Sequence, residues 1–223
     1  YLYFTIGLGG SDDLRKQLVD AAEDPAYRLA TLRRMRATDG DDNREIADLG
    51  NHERDADPDG TGSDTDPFGL VVDTSRTLVS ILDTGGNSLV DVDIDGPDPA
   101  ARMTTRVVFP RYGSGPGSLP AAPTQLAERS GDLWAGQRVG ETAPAGSASI
   151  WRIAGSTPTQ HVSGGLTDVV DVAWHAGELY VLEQDHDGPG GSSAGALRRV
   201  TVEDGIATRR VLVDDLDTPG GMA

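Results

Sequence analysis

The chain has 223 residues, with 36 Asp and Glu against 19 Lys and Arg and a formal net charge of −17; that field repels phosphate backbones and anionic lipid and argues against nucleic acid or a membrane surface as partner. There is no cysteine, which excludes disulfides, thiolate nucleophiles and Cys-ligated metals, and no run approaches the roughly 18 apolar residues of a membrane-crossing helix. Glycine (29) and proline (13) are plentiful, as in a turn-rich β protein, and Lys16 is the sole lysine, a balance that also suits a salty environment.

The chain opens inside a strand pattern, YLYFTI (1–6), without Met. SDDLRKQLVDAAEDPAYRLA (11–30) predicts a helical insertion: Ser11 suits an N-cap, Leu14, Leu18 and Ala22 share a helical face, and Pro25 ends or restarts the helix. Such an insertion covers a channel mouth or a neighbouring surface. Strand patterns follow at TLRRMRA (31–37) and REIADL (44–49), and then an acidic, Gly-rich loop runs to Asp66. From there a motif recurs, an apolar strand, a turn, then a second strand: PFGLVVDTSRTLVSILD from Pro67, PTQLAERSGDLWAGQ from Pro123 and VVDVAWHAGELYVLEQ from Val169. Its anchors Leu70, Leu126 and Val172 stand 56 and then 46 residues apart. Third strands read SLVDVDI (88–94), SIWRIAG (149–155) and ALRRVTV (196–202), and fourth strands RVVFP (106–110), QHVSGGL (160–166) and RRVLVDDL (209–216). Apolar and polar residues alternate in several of them, as in half-buried strands.

Four strands per repeat at this period predict an all-β fold, a β-propeller of four-stranded blades with one helical insertion. The expected blades are 67–110, 123–166 and 168–216, with a blade remnant at 1–50 and the start of another at 217–223, all in one propeller domain. The chain therefore reads as a fragment of a longer protein, six-bladed when complete. Trp134, Trp151 and Trp174 are expected to pack between blades.

Ten segments in order, among them DLGNHERDADPDG (48–60), DTDPFGLVV (64–72), LDTGGNSLVDVD (82–93), LWAGQRVG (133–140) and LYVLEQ (179–184), resemble the ScyD/ScyE family of bacterial secreted propeller proteins with NHL-like repeats. The resemblance covers essentially the whole chain. It implies a secreted, extracellular or periplasmic propeller without an established biochemical activity, and it supplies no catalytic residues.

Two constellations could carry chemistry. In DADPDGTGSDTD, Asp55, Asp57, Asp59, Gly60, Ser63 and Asp66 fall at positions 1, 3, 5, 6, 9 and 12 of a calcium-loop pattern. Against Ca2+ stand Asp instead of Glu at position 12 and the lack of helical flanks, so an ordinary acidic loop competes with the metal reading. DVDIDG (91–96) has Arg102 where a last carboxylate would stand, and DHDGPGG (185–191) reads as a flexible acidic loop. The second constellation is a recurring polar rim after the second strand of each repeat, Asp83 and Asn87, Gln137 and Arg138, Glu183 and Gln184, joined by Asp66, Thr124 and Asp168 ahead of the first. Such residues hold a metal in propeller hydrolases, or they satisfy turn backbones and cap strands. The Gly-rich turn GLGGSDDL resembles a phosphate cradle, but its acids disfavour an anion. His52, His161, His175 and His186 are scattered over different repeats. The first expectation is a non-enzymatic propeller that binds a small molecule, polymer or protein at its loop face; the alternative is a metal-dependent hydrolase or lactonase.

Overall fold

The apolar strand patterns fold as antiparallel sheets. In the structure, a computed structural model, residues 1–22, 26–95, 102–139, 142–188, 194–203 and 206–222 are described. Pro25, Gly96 and residues 189–191 of the DHDGPGG loop lie outside them. The chain forms two compact units, Tyr1–Val108 and Phe109–Ala223.

The first unit runs β1 (Leu2–Ile6), β2 (Gly10–Ser11), α1 (Asp12–Ala22), a 3-10 turn (Ala26–Arg28), β3 (Thr31–Arg36), β4 (Asp39–Asp48), α2 (Leu49–Ala56), β5 (Asp64–Thr65), β6 (Pro67–Val72), β7 (Leu78–Asp83), β8 (Ser88–Asp93) and β9 (Met103–Val108). Strands β1, β3 and β4 make a three-stranded sheet, β6 to β9 a four-stranded meander, and β2 with β5 a short ladder. Val79, Ile81, Val90 and Val92 of the meander cluster with Leu32, Ile46, Ala47 and Leu49, so α2 closes one end of the core between the two sheets. Ser11 caps α1 as expected, its hydroxyl accepting from the Leu14 N–H (3.3 Å).

The second unit holds two four-stranded meanders. One is β10 (Pro123–Arg129), β11 (Asp132–Gln137), β12 (Ala148–Ala154) and β13 (Thr157–Leu166); the other is β14 (Val169–His175), β15 (Glu178–Glu183), β16 (Ala194–Glu203) and β17 (Ile206–Asp217). Ile150, Val162 and Leu166 of the first meet Val169, Val172, Leu179 and Val181 of the second in one cluster. Trp134 and Trp174 stack edge-on between these sheets, centroids 5.1 Å apart, and Trp151 meets Phe109. The aromatic rings therefore pack, as the sequence suggests.

The sequence reading is corrected at α2. The strand pattern was expected to run through Leu49 and the 55–66 loop to lack helical flanks, but residues 49–56 form a helix capped at both ends. The Asp48 carboxylate accepts from the Asn51 N–H (2.9 Å), and Arg15, from α1, grips both Asp48 oxygens at 2.7 and 3.1 Å. Gly, Asn, His and Asp are poor helix formers, so this short helix depends on its caps and on burial of Leu49.

Candidate metal centre

Helix α2 turns Leu49, Gly50 and Glu53 inward, one face of a helix by their spacing. Glu53 is thus a carboxylate on an apolar stripe, only 1 % exposed. Neither of its oxygens has a hydrogen-bond partner. An unsatisfied buried acceptor costs about 1–3 kcal/mol and more when charged, so the group calls for a specific explanation.

The chain leaves α2 through Asp57, whose left-handed conformation (φ 39°) lets its N–H return to the Glu53 carbonyl. The next turn closes with Gly60 N–H on the Asp57 carbonyl (3.1 Å). Asp57 accepts from Gly62 N–H at 3.1 Å. One oxygen of Asp59 is held by the Thr61 N–H (2.9 Å) and hydroxyl (2.7 Å), which fixes the carboxylate and aims its other oxygen at Asn87. The result is that one oxygen each from Glu53, Asp57 and Asp59 lies within 4.8 Å of the other two.

The β7–β8 hairpin closes the other side. A Cβ on Gly86 would stand 2.6 Å from Glu53 Oε2, and one on Gly85 would stand 2.9 Å from the Thr65 nitrogen, so close approach explains both glycines. Asn87 adopts φ 47° and donates from Nδ2 to Asp59 Oδ2 at 2.6 Å. Burial, then the charges of Asp83, Asp59, Asp57 and Asp64, push the Glu53 carboxyl up to about 8. Three hard oxygen donors, one of them buried and unpartnered, fit a hard divalent cation such as Ca2+.

The sequence-predicted residues separate. Asp57 and Asp59 join the cluster. Asp55 lies on the exposed side of α2 beside Arg54, at 3.0 Å, and Asp66 accepts from Gly9 N–H (3.2 Å) in the Gly-rich turn that resembled a phosphate cradle. Counting along a loop missed Glu53 because part of that loop is helix, where residues four apart become neighbours. The signal available in the sequence was a Glu four residues after Leu49.

The polar rim has a regular place in the fold. Asp83, Gln137 and Glu183 each end the second strand of a meander, and they pair with Pro67, Pro123 and Val169 at the start of the first. All three are buried and occupied. Asp83 accepts from Thr65 Oγ1 (2.6 Å), Asp66 N–H (2.7 Å) and Gly86 N–H (3.1 Å). Gln137 accepts from the Trp151 indole (2.9 Å), and Glu183 from Thr167 N–H (2.6 Å) and the Arg198 guanidinium. Burial still raises the Asp83 and Glu183 carboxyls above their ordinary values. Asp168 pairs with Arg138 at 2.5 Å, and the Thr124 hydroxyl donates to the Val169 carbonyl. Of the histidines, His52 faces Thr105 Oγ1 at 2.9 Å, and His161 lies against Trp134 and Trp174.

Neither a family model nor a curated protein sequence matches the chain. Solved structures do. A chain of a nidogen/laminin complex aligns with a TM-score of 0.57 at 15 % identity, over 86 % of this chain and 62 % of its own. A protein provisionally named a gluconolactonase aligns with a TM-score of 0.50 at 14 % identity, over 84 % of this chain and 57 % of its own. The fold is propeller-like. The chain spans about three fifths of the length of these two structures, and likeness at this identity speaks for fold alone.

Proposed function

We propose that this chain belongs to a propeller of the ScyD/ScyE kind, secreted, that holds a divalent cation of the Ca2+ class at Glu53, Asp57 and Asp59 and hydrolyses an ester or lactone there. The observation that carries the reading is Glu53, a fully buried carboxylate with both oxygens unpartnered and two further carboxylates in reach. A bound cation would supply Lewis acidity toward a substrate carbonyl. The protein residues divide the remaining work. Glu53 anchors the ion from a capped helix, and Asp57, which is exposed, leaves the outer side open to a ligand. Asp83, with both oxygens engaged, fixes the hairpin and is not free to move a proton. The provisional name of one structural neighbour recommends lactones as the first substrates to try.

A second reading keeps the cation and drops the catalysis: a binding propeller whose ion braces α2 against the β7–β8 hairpin. It is favoured by the close approach of Gly86 to Glu53, which leaves no room for a Cβ, and by the hydrogen bond from Asn87 to Asp59. The test is calorimetric titration of the chelator-treated protein with CaCl2, followed by an ester and lactone panel with and without the ion. Binding with cation-dependent turnover supports the hydrolase. Binding without turnover leaves the structural ion, and a protein that takes no Ca2+ removes both readings.

A further inference from the structure

We propose that Asn87 is a ligand of the same centre, giving its amide oxygen to the cation after its side-chain amide has turned over. The inference rests on the cation assigned above to Glu53, Asp57 and Asp59. It adds a fourth, neutral donor from a different part of the chain.

Asn87 is 2 % exposed, so its amide cannot exchange partners with bulk water. Its Nδ2 lies 2.6 Å from Asp59 Oδ2, at the wall of the cluster. Without an ion this is the favourable orientation, because an N–H donor faces a carboxylate and offsets part of its charge. A cation among the three carboxylates reverses the demand at that wall, since a donor is repelled there and an oxygen attracted. An Asn amide satisfies either demand, because a half-turn about its last bond exchanges oxygen and NH2 within the same outline. The turn exchanges the bond to Asp59 and gives up a 3.4 Å contact from Nδ2 to the Gly85 carbonyl.

The backbone explains why this residue is the one delivered. Gly86 brings the hairpin so close to Glu53 that a Cβ would stand 2.6 Å from its carboxylate. The next residue then reaches Asp59. It does so at φ 47°, a conformation that Asn tolerates better than other residues with a side chain. The hairpin itself is pinned by Asp83, through Gly86 N–H and Asp66 N–H, so the amide can turn without moving its backbone. Coordination would then join α2 and its following turn to a hairpin 28 residues beyond Asp59.

The test uses CaCl2 as the probe on the whole chain after chelator treatment. Asn87→Leu keeps the outline and removes the oxygen, and Asn87→Asp keeps an oxygen and adds charge. The expected result is a loss of Ca2+ affinity of roughly tenfold or more for Asn87→Leu, with affinity kept or raised in Asn87→Asp. Wild-type affinity in a folded Asn87→Leu protein overturns this proposal alone and leaves the carboxylate centre intact. A wild-type protein that takes no Ca2+ overturns it together with the function it rests on. If Asn87→Leu does not fold, the side-chain amide protons of Asn87 in the wild type decide by NMR. They shift on adding CaCl2 if the bond to Asp59 is exchanged for the ion, and an unmoved signal at saturation refutes the turn.

Discussion

Glu53→Gln tests the centre at its root, because it removes the ionisable group and keeps the shape. In the unfolded chain Glu53 ionises at its ordinary value of 4.5, whereas the folded, ion-free protein holds its proton to about pH 8. The raised folded value is therefore a destabilising contribution. It is absent below about pH 4.5, where both states are protonated, grows as pH rises to about 8, and is constant above that. At about 1.4 kcal/mol per pH unit, the span from 4.5 to pH 7 corresponds to at most about 3 kcal/mol. Asp57 and the outer side of the cluster face water, and that screening lowers the figure to about 1–2 kcal/mol. Glu53→Gln should accordingly stabilise the chelator-treated protein by about that amount at pH 7, and by nothing at about pH 4. In millimolar CaCl2 the order should invert, because only the wild type gains linkage stabilisation. Urea unfolding followed by tryptophan fluorescence, across this pH range and with either EDTA or CaCl2, measures all three. A Gln protein less stable than wild type at pH 7 in EDTA, or equally stabilised by CaCl2, refutes the reasoning.

Gly86→Ala drives a methyl to 2.6 Å from the Glu53 carboxylate; a cost of about 1–3 kcal/mol is expected, together with loss of the CaCl2 response in thermal melts. Arg198→Met leaves Glu183, 1 % exposed, without its cation. Urea unfolding should show a loss of about 3 kcal/mol near neutral pH, shrinking in acid as Glu183 takes up a proton. Gln137→Leu strands the Trp151 indole N–H, which should lower stability by about 1–3 kcal/mol and alter Trp151 emission. Trp134→Ala empties the edge-on contact with Trp174 between two sheets, and a loss of about 3–5 kcal/mol is expected in the same assay.

The sheets were legible because their signal is local and repeated. The polar terminus of each second strand falls in one register, with Asp83 opposite Pro67, Gln137 opposite Pro123 and Glu183 opposite Val169, and spacing alone aligned them. Helix α2 was not legible, because the interactions that form it are distant in sequence. Its N-cap is clamped by Arg15, 33 residues away, and its residues have weak intrinsic preference for a helix. The calcium-loop spacing did not point to Glu53 for the same reason. In a loop Asp55 alternates with Asp57, but on a helix Asp55 turns outward and Glu53 comes to Asp57.

This difference bears on where function sits in a repeat fold. The rim residues recur in each meander, and the structure gives each of them donors of its own: backbone and Thr65 for Asp83, an indole for Gln137, an arginine for Glu183. Each of them closes the end of a second strand opposite the start of the first. Glu53 comes from α2, which lies between β4 and β5 and outside the four-stranded meanders. Among the described residues, it is the one carboxylate buried with both oxygens unpartnered. A protein retains so costly a group where something else satisfies it. The rim hairpin serves that group indirectly, by holding Gly86 and Asn87 against it. The repeat supplies the wall, and helix α2 supplies the charge that makes the wall a site.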